Sequence, residues 1–122
     1  MSLRQHIDTY LKGWELGNGA LSLSVTADSF CYDDPNTGRI ARHEFVEFVE
    51  DFKCAAIELG GLENANPFLQ YTDVVIKDDS SPAIVWCWWQ AVGTDLQGCA
   101  LIKASEAGIL HEKIAYFSKL PQ

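Results

Sequence analysis

The spacing of hydrophobic residues changes partway along the chain. Over residues 3–16, Leu3, Ile7, Tyr10, Leu11 and Trp14 recur every three or four positions, with Arg4, Gln5, Asp8 and Lys12 elsewhere. That spacing predicts an amphipathic helix. Gly17-Asn18-Gly19 ends it, offering the left-handed positions a helix C-terminus favours. A second amphipathic helix is predicted at about 41–58, carrying Phe45, Phe48, Val49, Phe52, Ala56 and, just beyond, Leu59. Gly60-Gly61 stops it and a polar loop follows through Pro67. From there the period is two, and strands are predicted at 68–77, 83–92, 98–105 and 109–117. Their separators are Asp78-Asp79-Ser80-Ser81-Pro82, Gly93-Thr94-Asp95 and Glu106-Ala107-Gly108, all turn chemistry.

Between the two helices the pattern is less decisive. Leu21, Leu23 and Val25 alternate with Ser22, Ser24 and Thr26, which by period is a strand, while Asn18 could equally cap a short helix. Phe30-Cys31-Tyr32-Asp33-Asp34 reads as a short strand running into a turn at Pro35-Asn36-Thr37-Gly38. Helices first and a four-strand meander second predict one α+β domain over residues 1–122, a curved, mostly antiparallel sheet wrapped on helices.

Composition narrows the partners. Nine Lys and Arg against 17 Asp and Glu give a net charge of −8. Clustered cations for phosphate contacts are missing, which argues against nucleic acid and against an anionic membrane surface. No apolar run approaches the roughly 20 residues of a membrane span, and the N-terminus lacks the apolar core of a signal peptide. A cytoplasmic location is therefore expected. Cys31, Cys54, Cys87 and Cys99 are too far apart for a zinc ribbon or a redox pair and read as free buried thiols. No metal-ligand spacing, phosphate loop or nucleophile elbow is present, so no metal or cofactor is expected.

Several side chains remain as candidates for chemistry. In the strand Ile84-Val85-Trp86-Cys87-Trp88-Trp89-Gln90-Ala91-Val92, period two puts Trp86, Trp88 and Gln90 on one face and Val85, Cys87, Trp89 and Ala91 on the other. Both faces are apolar. One must meet the helices, and the other is expected to meet a second copy in a homodimer, with Trp86 and Trp88 toward a pocket and Trp89 toward the partner. Asp34 precedes a proline and so continues the strand, sharing a face with Tyr32 and Phe30. A carboxyl among aromatics can serve as a general base; equally, Asp34 can open the turn and cap its amides, and by spacing alone that role weighs more. His6, Tyr10 and Trp14 form one helix stripe. His111 and Lys113 share a strand face with Ala115 and Phe117, which read more simply as a solvent pair than as a proton shuttle. His43, at a helix start, suggests nothing.

Two stretches resemble the SnoaL-like branch of the nuclear transport factor 2-like superfamily, which includes the steroid isomerases. One is Tyr10-Leu11-Lys12-Gly13-Trp14-Glu15-Leu16-Gly17-Asn18 followed by Ala27-Asp28 and Tyr32-Asp33-Asp34-Pro35. The other is the closing hairpin from Glu106-Ala107-Gly108-Ile109 to Ala115-Tyr116-Phe117. The resemblance implies a cone, a bent sheet around three helices enclosing a pocket, with residues 20–27 helical. By position it implies Asp34 as general base and Tyr10 as the oxyanion-hole tyrosine. The place of the isomerases' second acid falls on Ala100, where this chain departs from the pattern. The family's dehydratases use a histidine, a role open to His111 only if it faces inward.

The expected function is therefore proton-transfer chemistry of isomerase, cyclase or dehydratase type on a small apolar molecule. Asp34 and Tyr10 would act in a pocket lined by Trp14, Tyr32, Phe48, Phe52, Trp86, Trp88 and Phe117, with Gln90 as a polar anchor. The alternative is a non-catalytic ligand-binding or dimerisation module.

Overall fold

A computed structural model of the chain describes residues 1–61 and 67–117. Helix α1 spans Leu3–Leu16. Ser2 opens it with a reciprocal cap to Gln5, and Gly17, at φ 65°, closes it in a left-handed conformation that a Cβ would strain. Asn18 then caps the short helix α2, Gly19–Leu23, by accepting from the Leu21 N–H at 3.1 Å. The segment 20–27, helical throughout by the resemblance, is instead split: helical to Leu23, then strand β1 from Thr26 to Asp34.

Strand β2, Gly38–Ala41, was not expected; it pairs back on β1 across the Pro35 turn. Four residues are too few to show a period, so a turn was all the pattern gave. A short 3-10 helix at Arg42–Glu44 leads into α3, Phe45–Glu58. The polar loop expected after Gly61 lies, at residues 62–66, outside the described residues. Strands β3 (Leu69–Lys77), β4 (Ala83–Ala91), β5 (Gln97–Ser105) and β6 (Gly108–Phe117) follow as the expected meander.

The six strands form one sheet in the order β2-β1-β6-β5-β4-β3. Among the described residues only the β1–β6 pairing is parallel. Register shifts interrupt β3 between Thr72 and Val75, β5 between Lys103 and Ala104, and β1 between Thr26 and Cys31. Such irregularities bend strands, and here they curl the sheet around the helices. A second device sits at Gly98: a Cβ there would stand 1.9 Å from the Ala115 carbonyl and 2.8 Å from the Trp89 ring.

The concave side is filled largely by aromatic rings. Phe45 is the hub, with Tyr10, Trp14, Phe30 and Tyr32 at centroid distances of 5.2–6.2 Å. Truncating so central a ring typically costs about 3–5 kcal/mol. All four cysteines are free; Cys87 and Cys99 are buried as expected, while Cys31 is half-buried and Cys54 exposed. No helix among the described residues is long and apolar enough to cross a membrane.

Candidate functional site

The helical stripe of α1 brings Tyr10 and Trp14, one turn apart, against the inner side of β6. Along β6 the inward positions are Glu112, Ile114 and Tyr116, and the outward ones His111, Lys113, Ala115 and Phe117. Glu112 is therefore an acid projecting into an aromatic interior, 2% exposed. The Tyr10 hydroxyl donates a short hydrogen bond to its Oε1. Burial pushes the Glu112 carboxyl up to about 7, and the donors Tyr10 and Trp14 hold it from rising further. Tyr10 in turn is raised well above the ordinary phenol value, first by burial and then by the Glu112 charge. Glu112 thus holds its proton more tightly than an ordinary carboxyl does.

Around it stand Trp14, Tyr32, Phe52, Leu69, Tyr71 and Trp89. The space left between them is about 10 Å³, room for about one water. A small-molecule pocket usually offers about 300 Å³ or more, so the side chains largely fill the cone in this conformation. Trp14 Nε1 and Trp89 Nε1 are buried without a hydrogen-bond partner among the described residues. The Trp14 N–H lies near enough to favour the charged Glu112, yet makes no bond of ordinary length and angle. An unpaired buried donor costs about 1–3 kcal/mol, so this interior has hydrogen-bonding capacity left over.

Asp34 lies elsewhere, at the end of β1. It is buried and on the face of Phe30 and Tyr32, as expected. Its Oδ2 accepts from the Asn36 N–H at 2.9 Å and the Thr37 N–H at 2.7 Å, and its Oδ1 from the Tyr116 hydroxyl at 2.5 Å. The turn role is thus present together with the inward orientation. Tyr116 is raised above the ordinary phenol value by burial first and by Asp34 second. The structure does not bring Tyr10 and Asp34 together: each has a different hydrogen-bond partner.

Other expected positions change. Trp86, Trp88, Gln90 and Phe117 point away from the cone, while Trp89, expected at a partner, packs inside it against Phe52 and Tyr116. Period two separates the faces of β4 without saying which is inner. The helices meet the face of Val85, Cys87, Trp89 and Ala91, so the expectation was inverted. Phe48 packs against Tyr32, the rings tilted at 48° with centroids 4.9 Å apart, but borders an open acidic groove with Glu44, Glu47 and Asp51 instead of the interior. Trp14, Tyr32 and Phe52 do line the interior. Ala100 is fully buried, its register partners being Cys87 and Ile114, and no acid stands there.

His111 faces outward, which leaves no place for it as an interior proton shuttle. Its Nε2 is 2.6 Å from Asp33 Oδ2, and Arg39 clasps the same carboxylate with two hydrogen bonds of 3.0 and 2.9 Å. These donors hold Asp33 well below the usual carboxylate range, Arg39 contributing most and His111 next. The solvent pairing expected for His111 with Lys113 is replaced by this cluster across β6, β1 and β2.

A larger hollow of about 440 Å³ opens between the start of α1 and the β3–β4 and β5–β6 loops. Asp78, Ser80, Ser81, Ser105 and Glu106 line it, and none of the expected site residues does. Among the described residues no three His, Cys, Asp or Glu side chains converge to hold a metal ion.

No family model and no curated protein matches the sequence. Solved structures do match in fold. A putative ketosteroid isomerase from Kribbella flavida is 13% identical with a TM-score of 0.63, the alignment covering 98% of this chain and 81% of that one. A putative polyketide cyclase from Pseudomonas putida is 14% identical with a TM-score of 0.62, covering 96% and 92%. An NTF2-like protein of unknown function from Cytophaga hutchinsonii is 9% identical with a TM-score of 0.61, covering 96% and 91%. At such identities the likeness shows the fold: this chain has the nuclear transport factor 2-like cone.

Proposed function

We propose that the chain performs proton-transfer chemistry on a small, largely apolar carbonyl compound held in the cone, with Glu112 as the group that takes and returns the proton. The observation that carries this reading is the buried Tyr10–Glu112 pair, in which burial holds the carboxyl at about 7. A general base is most effective with a pKa near the working pH. Glu112 takes a proton from carbon, and the unpaired indole N–H of Trp14 or Trp89 is free to donate to the oxygen on which charge develops. Tyr10 orients the carboxyl. Asp34, expected to be the base, is assigned instead to holding the rim through its turn and Tyr116. The isomerase and cyclase names carried by structures of this fold lie in the same class of chemistry.

With about 10 Å³ between the lining side chains, a ligand must displace some of them on entry. The test is deuterium exchange at carbon, followed by NMR, for a panel of cyclic enolisable ketones in heavy water. Exchange above background is expected for the native chain, with a loss of a hundredfold or more in Glu112→Gln. Equal rates in the two would sink the proposal.

One observation favours a second reading. A cone with room for about one water suits a non-catalytic module whose working surface is the outside of the sheet. In that case no ketone of the panel would exchange or shift the Trp14 and Trp89 resonances.

A further inference from the structure

The Glu112 carboxyl is cut off from water. The residue is buried, and so is Tyr10, which bonds to it. A proton leaving such a group for solvent needs hydroxyl or carboxyl groups along its way, because a bare charge does not cross an apolar interior. The inner faces of β1 and β6 supply them.

These two strands run parallel, and Tyr32 stands directly opposite Glu112 in register. Neighbouring strands lie about 4.8 Å apart, so both side chains rise from adjacent points of one face. They border the same space of about 10 Å³, room for about one water. A hydroxyl both donates and accepts, as a relay requires. Two residues beyond Tyr32 on this face is Asp34, and four beyond Glu112 is Tyr116. The Tyr116 hydroxyl donates to Asp34 Oδ1 at 2.5 Å. Asp34 also accepts from the amides of Asn36 and Thr37, two exposed residues. Tyr32 thus stands between a deep carboxyl and a rim carboxyl.

The electrostatics agree with this placement. The Tyr32 hydroxyl is raised well above the ordinary phenol value, first by burial, then by Glu112, Tyr116, Tyr71 and Asp34, members of both pairs among them. The donors that favour the charged Glu112 are Tyr10 and Trp14, not Tyr32. Tyr32 can therefore conduct a proton without setting how tightly Glu112 holds it. Tyr71 borders the same space, but the acid beyond it, Glu15, is engaged by Lys12 at 3.9 Å.

We propose that Tyr32 is the proton conduit of the cone, connecting Glu112 through the shared space to Asp34 and Tyr116 at the rim. The inference rests on Glu112 being the group that takes and returns a proton. In the outward step, protonated Glu112 gives its proton to a water in the shared space, and that water gives one to the Tyr32 oxygen. The original Tyr32 hydroxyl proton passes to the Asp34 carboxylate, which releases it to solvent beside the turn. Glu112 ends ionised, the water, Tyr32 and Asp34 end as they began, and no phenolate forms.

The test is the proton-exchange rate of Glu112, read by NMR from its carboxyl carbon near the titration midpoint. The signal is identified by its loss in Glu112→Gln. The native chain should give one averaged signal. Tyr32→Phe keeps the ring against Trp14, Phe45 and Phe48. It should slow exchange about tenfold or more, since only local opening then carries the proton, and leave the midpoint unmoved. A packing role alone would move stability or the midpoint and spare the rate. Tyr71→Phe should change neither rate nor midpoint. Two separate signals in the native chain, an unchanged rate in Tyr32→Phe, or equal slowing in Tyr71→Phe would each overturn the inference. Should Tyr32→Phe not fold, Asp34→Asn decides, because it closes the same route at the rim and must also slow exchange. No ketone is present in these measurements, so this inference and the assignment of Glu112 as the base can fail separately.

Discussion

The cone contains two tyrosine–carboxyl pairs that differ in how many donors reach the acid. Deep inside, Glu112 receives the Tyr10 hydroxyl, with the Trp14 indole close by but not properly bonded. At the rim, Asp34 receives the Tyr116 hydroxyl and two main-chain N–H groups from the turn it opens. Burial alone disfavours a charged carboxyl, and each donor offsets that cost. Glu112 is short of donors and is held up at about 7. Asp34 is the better anchor, because three directed hydrogen bonds fix its position. Both are phenol–acid contacts, one buried and one part-buried, yet one is suited to moving a proton and the other to holding a loop. Chemistry should be sought where donors run short.

The largest effect that could break this contrast is the pH dependence of stability. Glu112 has a folded value of about 7 against an ordinary value of 4.5, so the native state binds its proton more tightly than the unfolded chain does. Its contribution is fully present below about 4.5 and is lost as pH rises to about 7. A shift of that size corresponds to roughly 3 kcal/mol. Urea unfolding across this range should show stability falling as pH rises, and Glu112→Gln should remove that part of the slope. Asp34→Asn should leave it in place. If the slope survives in Glu112→Gln, the deep pair is not the group that titrates.

The second effect separates the partners within the deep pair. Tyr10→Phe removes the short hydrogen bond to Glu112, its one side-chain partner among the described residues, in an interior with space for about one water. The expected cost is about 2 kcal/mol above neutrality, where the carboxylate is charged, and smaller at low pH, where it is neutral. Carboxyl NMR should place the Glu112 midpoint higher in Tyr10→Phe than in the native chain. An unchanged midpoint would mean that Tyr10 does not act on Glu112 at all.

Much of this architecture can be read from the chain. Both long helices and all four meander strands follow from period alone, because each buries one face against the next layer. Asp34 could be placed inward by counting from Phe30 and Tyr32, and its turn role by the proline that follows. Glu112 was also within reach: it has the parity of Ile114 and Tyr116, and strand geometry puts the three on one face. Its neighbours His111 and Lys113 carry the more familiar chemistry, and the resemblance places an acid at Ala100 instead. The inversion of Trp86 and Trp88 with Trp89 has a different cause. In a strand apolar on both faces, parity separates the two sets, but only tertiary packing decides which set meets the helices. The cluster of Asp33, Arg39 and His111 needed the parallel β1–β6 pairing and the hairpin to β2. Neither leaves a local trace in the sequence.

The smallest effect sharpens the contrast from the rim. Tyr116→Phe removes one donor from Asp34 and leaves the amide donors of Asn36 and Thr37 in place. The Tyr116 ring keeps its edge-on contact with Trp89 at 5.6 Å, so packing is little changed. Because the hydroxyl pair is only partly buried, water can replace part of what is lost, and the expected cost is about 0.5–1 kcal/mol. The slope assigned to Glu112 should be the same as in the native chain, and exchange of the Asn36 and Thr37 amides should stay protected. Loss of that protection, or a cost as large as that of Tyr10→Phe, would show that the rim carboxyl depends on its phenol as the deep one does. The two pairs would then differ in depth alone.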